Sequence, residues 1–88
     1  MKIKNELMLQ EVAGNYIIVP VAGELVNLNA MINTNDVGAF IFKALEEDTT
    51  EDAVVLAVIK EYDIDEETAK KDVKDFIDTL RKNSMLDE

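Results

Sequence analysis

The chain has 88 residues, 48% of them apolar, with no cysteine or histidine, and nine basic against nineteen acidic side chains give a net charge of −10. This length suffices for one modest core without staples, so residues 1–88 are expected to form a single domain. The composition excludes disulfides, thiolate metal sites and a thiol nucleophile, removes the usual general base, and makes a surface that repels nucleic acid and anionic membrane.

Met1–Leu9 has no apolar run long enough for a signal peptide or a membrane span, which makes the cytoplasm the expected location. Leu7–Val12 reads as a first strand, and the aromatic and β-branched run Tyr16–Val19 as a second. The triplet Ala13-Gly14-Asn15 between them makes a hairpin, with Gly14 or Asn15 expected at positive φ. Pro20 lacks an N–H and belongs at a strand end or a bulge. Ala22-Gly23-Glu24 turns the chain into a third strand. There Val26, Leu28, Ala30 and Ile32 point one way and Asn27, Asn29, Met31 and Asn33 the other, the pattern of a half-buried strand. Short connections favour antiparallel pairing of consecutive strands, which puts the second strand in the middle and leaves the first and third as edges.

Spacing then switches to helical. Val37, Phe40, Ile41, Ala44 and Leu45 share one face of a helix from about Asp36 to Leu45, with Asn35 as its N-cap. After the acidic loop Glu46-Glu47-Asp48, Thr49 or Thr50 caps a second helix, whose Glu51 and Asp52 complement its dipole. Ala53–Ile59 is apolar nearly all round, so this helix is expected to be the most buried; its valines leave strand as a lesser alternative. Asp65 caps a third helix, Glu66 to about Lys82, with Ala69, Val73, Phe76, Ile77 and Leu80 on one stripe. Asn83 is expected to be the left-handed residue that ends it, with Met85 and Leu86 folding back onto the core.

No catalytic or metal constellation emerges. Asp63, Asp65 and Glu67 imitate the start of a calcium loop, but Thr68 stands at the glycine position and Lys74 at the bidentate acid; a connector and a helix cap explain them better. Three strands and three helices also fit a winged-helix DNA-binding, transcription-factor-like domain. Its last helix should be basic, whereas Lys70, Lys71, Lys74, Arg81 and Lys82 are balanced by Glu66, Glu67, Asp72, Asp75 and Asp78. The third strand carries no Lys or Pro against added strands, so an extended peptide could pair with its edge and set alternate side chains against the last helix.

The run Gln10–Pro20 resembles the opening hairpin of the coenzyme PQQ synthesis protein D (PqqD) superfamily, and Leu28–Ile41 resembles its third strand and first helix. The Thr50-Glu51 helix start, Glu61–Asp65 and the closing Ser84-Met85-Leu86 also correspond in place, although Asn83-Ser84 stands where a glycine commonly ends the last helix. The resemblance implies an α+β, winged-helix-like domain, a three-stranded antiparallel sheet followed by three α-helices. It implies a non-catalytic, cofactor-free peptide chaperone, a recognition element for ribosomally made, modified peptides. Such a domain binds the leader of a precursor peptide by strand addition and presents it to a tailoring enzyme, often a radical-SAM protein. By position, the implied contacts are Leu28, Asn29, Ala30, Met31, Ile32 and Asn33 on the strand, and Asp72, Val73, Phe76 and Leu80 on the last helix. No metal, nucleic acid or membrane partner is expected, and the expected state is a monomer that could dimerise weakly. A subunit that contacts only its maturase is a third reading.

Overall fold

A two-residue turn sets the register of the main sheet. The computed structural model describes residues 1–23 and 31–88. Strand β1 spans Lys2–Ile3, β2 Leu7–Val12 and β3 Asn15–Pro20. Ala13 and Gly14, both at positive φ (53° and 82°), join β2 to β3. Positive φ at both central residues is the requirement of the tight hairpin whose twist matches that of its strands. The expected positions were Gly14 or Asn15; Asn15 instead opens β3 opposite Val12, because a two-residue loop leaves it paired. The register runs from there to Leu7 opposite Pro20, and Pro20 ends its strand as its missing N–H demands.

Strand β4, Ile32–Thr34, pairs antiparallel with the other side of β3, setting Ile18 opposite Ile32 and Tyr16 opposite Thr34. The sheet order is therefore β2-β3-β4, with β3 central as short connections predict. Leu25–Ala30 of the predicted third strand, including Leu28, Asn29 and Ala30, lies outside the described residues. In the described part the alternation holds: Met31 and Asn33 are exposed, and Ile32 packs against the core.

Three helices follow, α1 Asp36–Ala44, α2 Glu51–Tyr62 and α3 Glu66–Lys82. Each begins on a side chain that accepts an otherwise orphaned N–H: Asn35 from Gly38 at 2.9 Å, Thr50 from Ala53 at 3.2 Å, Asp65 from Thr68 at 3.2 Å. The Thr68 hydroxyl also donates to Asp65, at 2.7 Å, and these two bonds hold the Asp65 carboxyl below its ordinary value. Asp63 ends α2 in the left-handed region at φ 50°. Those two carboxylates thus sit at helix ends.

Helix α2 is not the most buried one. It buries Val54, Val55 and Val58, while Leu56 is 68% exposed. An apolar helix that packs on one side keeps a solvent face whatever its composition. The central position falls to α1, which contacts β3, β4, α2 and α3 and buries Gly38, Ala39, Ile41 and Phe42.

The end of α3 corrects another expectation. Ser84 (φ 59°), not Asn83, is left-handed. Its N–H donates to the Arg81 carbonyl at 3.1 Å and the next N–H, of Met85, to Leu80 at 2.9 Å, a Schellman closure one residue later than predicted. Met85 is buried as expected, and β5, Leu86–Asp87, pairs with β1 in a two-stranded ribbon that sequence pattern does not reveal. A side chain costs roughly 1–2 kcal/mol in the left-handed region, whereas glycine loses about 0.5–1 kcal/mol in extra chain entropy. Ser84→Gly is therefore expected to stabilise the fold by roughly 0.5–1 kcal/mol, read as a higher urea midpoint at unchanged slope.

Candidate functional site

Where β4 runs into α1, the chain must turn from a sheet edge onto a helix axis within one residue, Asn35. The Asn35 cap holds that turn, and Gly38 in the first turn of α1 allows the close approach it requires. A Cβ on Gly38 would overlap the Thr34 side chain and stand 3.0 Å from the Phe76 ring. Strand end, helix start and α3 thus meet around a residue with no side chain.

Outside this junction lies an open groove of about 320 Å³. One wall is Thr34 and Asn35 with Val37 and Ile41 of α1. The other is α3, which presents Asp72, Asp75, Phe76 and Thr79 at i, i+3, i+4 and i+7. The apolar surface comes from the half-buried Val37 and Phe76, Ile41 being a core residue, and the polar groups come from the strand–helix junction and from α3. Tyr62 packs edge-on against Phe40 of α1 itself (centroids 5.6 Å, 89°) and donates to the Asp36 carbonyl at 3.2 Å, fixing the start of the helix. Burial, then the Asp36 charge, pushes the Tyr62 hydroxyl up from its ordinary value.

The residues predicted for peptide contact divide into groups. Asp72 and Phe76 line the groove. Val73 and Leu80 are 0% exposed and form the packed layer that supports Phe76. Met31 is 60% exposed, and Asn33 is exposed beside it in register with Ile17 of β3. Sequence reasoning passed over Thr34, Asn35, Gly38, Asp75 and Thr79 as groove residues. Asp75 and Thr79 were accessible from helical spacing, since they flank Phe76 on the face Asp72 defines; the part of Gly38 depends on a long-range approach.

The cations of α3 are largely engaged along the helix. Lys70 pairs with Glu66, Lys71 with Asp75 and Lys74 with Asp78, at 2.8–3.1 Å, and Arg81 reaches Asp78 and Glu88. These exposed pairs contribute little to stability, but they leave α3 without a cationic face. Among the described residues no helix is long and apolar enough to cross a membrane. At the opposite edge of the sheet, a hollow of about 360 Å³ lies between β2 and the end of α1, lined by Leu7, Met8, Leu9, Val21 and Phe42 among others.

The family model for coenzyme PQQ synthesis protein D (PqqD) matches residues 8–86. The chain belongs to the PqqD family. No curated protein matches it. Among solved structures, this PqqD-family chain is similar to TbiB1 in complex with the TbiA(beta) leader peptide: TM-score 0.75 and 23% identity over 99% of this chain and 95% of that one. It is also similar to a lasso peptide synthetase B1 complexed with the leader peptide, with TM-score 0.71 and 17% identity over 96% and 93% of the two chains. At such identities the likeness is one of fold, and it extends over nearly the whole of each chain.

Proposed function

We propose that this PqqD-family chain is a non-catalytic recognition protein that binds the leader of a ribosomally made precursor peptide and presents the rest of that peptide to a tailoring enzyme, such as a radical-SAM protein. The observation that carries the proposal is the groove between the β4–α1 junction and α3, which begins where a sheet edge ends. A leader laid along β4 takes main-chain hydrogen bonds from the strand edge and sets alternate side chains against Val37 and Phe76. Both solved relatives are complexes with leader peptides, which supports the same ligand class here. A DNA-binding reading needs a cationic recognition helix; α3 pairs Lys70, Lys71 and Lys74 with its own carboxylates on a chain of net charge −10.

The test is amide chemical-shift mapping with a synthetic leader peptide of a candidate precursor. Perturbations are expected on Ile32–Thr34 and on the Asp72–Thr79 face. Thr79→Trp, which fills the groove from an exposed position, is expected to weaken binding at least tenfold while the fold stays intact, since surface substitutions move stability by about 0.5 kcal/mol or less. Perturbations gathered on β2 and its hollow, or on the Glu46–Asp52 loop, would overturn strand addition at β4.

A further inference from the structure

The groove is apolar at its floor and anionic along one wall. Asp72 and Asp75 both line it, and no lysine or arginine does. The two carboxylates differ in their partners. Asp75 accepts from the Lys71 ammonium at 3.1 Å, whereas Asp72 forms no ion pair among the described residues. The segment 24–30 contains no lysine or arginine that could supply one. Asp72 is exposed and lies one helical turn before Phe76 on the same face. An unpaired carboxylate beside an apolar surface, on a chain of net charge −10, complements a cation that arrives together with an apolar group.

Geometry sets the spacing. Four residues of helix rise about 6 Å, which separates Asp72 from Phe76 along α3. In an extended peptide that runs along α3, side chains on one face recur every two residues, about 6.8 Å apart. We infer that the groove selects an extended peptide in which a Lys or Arg stands two residues from a large apolar side chain, the apolar group against Phe76 and the cation on Asp72. This rests on the peptide-binding reading above and adds to it a charge requirement and a register. The cation keeps part of its hydration at an exposed carboxylate, so its contribution is selectivity and encounter rate more than bulk affinity.

A displayed library of random 12-residue peptides, selected on the full chain, tests this. Enrichment of an apolar residue with Lys or Arg two positions away is expected. The best such peptide should bind Asp72→Asn about two- to fivefold more weakly at low ionic strength, with the difference shrinking as salt is added. Glu47→Gln removes the same charge from the exposed α1–α2 loop and is expected to leave affinity unchanged. Asp72→Lys should turn the preference at that position to Asp or Glu. Enriched peptides that map to Ile32–Thr34 and Asp72–Thr79 but carry no basic preference, or that lose affinity equally in Asp72→Asn and Glu47→Gln, overturn the charge requirement and leave the groove reading standing. Enriched peptides that perturb other surfaces overturn both.

Discussion

Leu80→Ala is expected to lower the unfolding free energy by about 2–5 kcal/mol, whether or not a peptide is present. Leu80 is fully buried among the side chains that join α3 to α1, α2 and the C-terminal segment. Its backbone carbonyl also receives the Met85 N–H, so the residue lies at the point where the closing turn returns to the core. Truncation removes the transfer energy of the lost methyl groups and leaves a cavity that a helix held on several sides cannot collapse to fill. Against a total stability of about 5–15 kcal/mol for a domain of this kind, the change is large enough to populate unfolded chain at moderate temperature. Chemical denaturation followed by circular dichroism measures it, and exposed Thr79→Ala, one residue away, serves as the control with an expected change within about 0.5 kcal/mol. A Leu80→Ala protein of normal stability that failed to bind leader would instead make Leu80 a contact residue.

Gly38→Ala is expected to destabilise the fold by about 1–3 kcal/mol and to deform the groove. In an exposed helix the same change would stabilise by about 1 kcal/mol, because alanine is the better helix former. Position decides the sign. The new methyl group would overlap the Thr34 hydroxyl, and the Thr34 Cβ is only 2.9 Å away. Rotating the Thr34 side chain therefore does not relieve the contact, since Cβ moves only with the backbone of β4. Phe76 blocks escape on the other side at 3.0 Å. Strand and helix must separate, and the separation passes directly to the edge proposed to receive a peptide. The double variant Gly38→Ala/Thr34→Ala is expected to recover part of the stability, because the hydroxyl overlap disappears while the Cβ contact persists. Full native stability in the single variant would mean that this junction is looser than its geometry states.

Much of the architecture is legible in the linear chain. The aromatic and β-branched run Tyr16–Val19, preceded by Leu7–Val12 with a glycine-containing turn between them, specifies a hairpin. The caps Asn35, Thr50 and Asp65 are equally local, since each satisfies a donor three residues ahead and needs no tertiary partner. Asp72 and Phe76 entered as contacts through the resemblance to the PqqD superfamily, by position, and helical spacing accounts only for their lying one turn apart on α3.

What local pattern could not decide was which apolar surface is covered. The run Ala53–Ile59 looks like the innermost helix, yet Leu56 faces solvent, because burial depends on how many elements pack around a helix and α1 occupies the centre. Val73, Leu80 and Phe76 are alike in sequence as members of one stripe; packing seals the first two and opens Phe76 to the groove. The β1–β5 ribbon follows from pairing between the two ends of the chain, which no window of sequence contains. The sequence by itself therefore determined the β2–β3 hairpin, the three helices, their caps and the charge. Tertiary structure decided the groove, because a groove is the space left where a strand end, a glycine in α1 and one face of α3 come together across more than forty residues of chain.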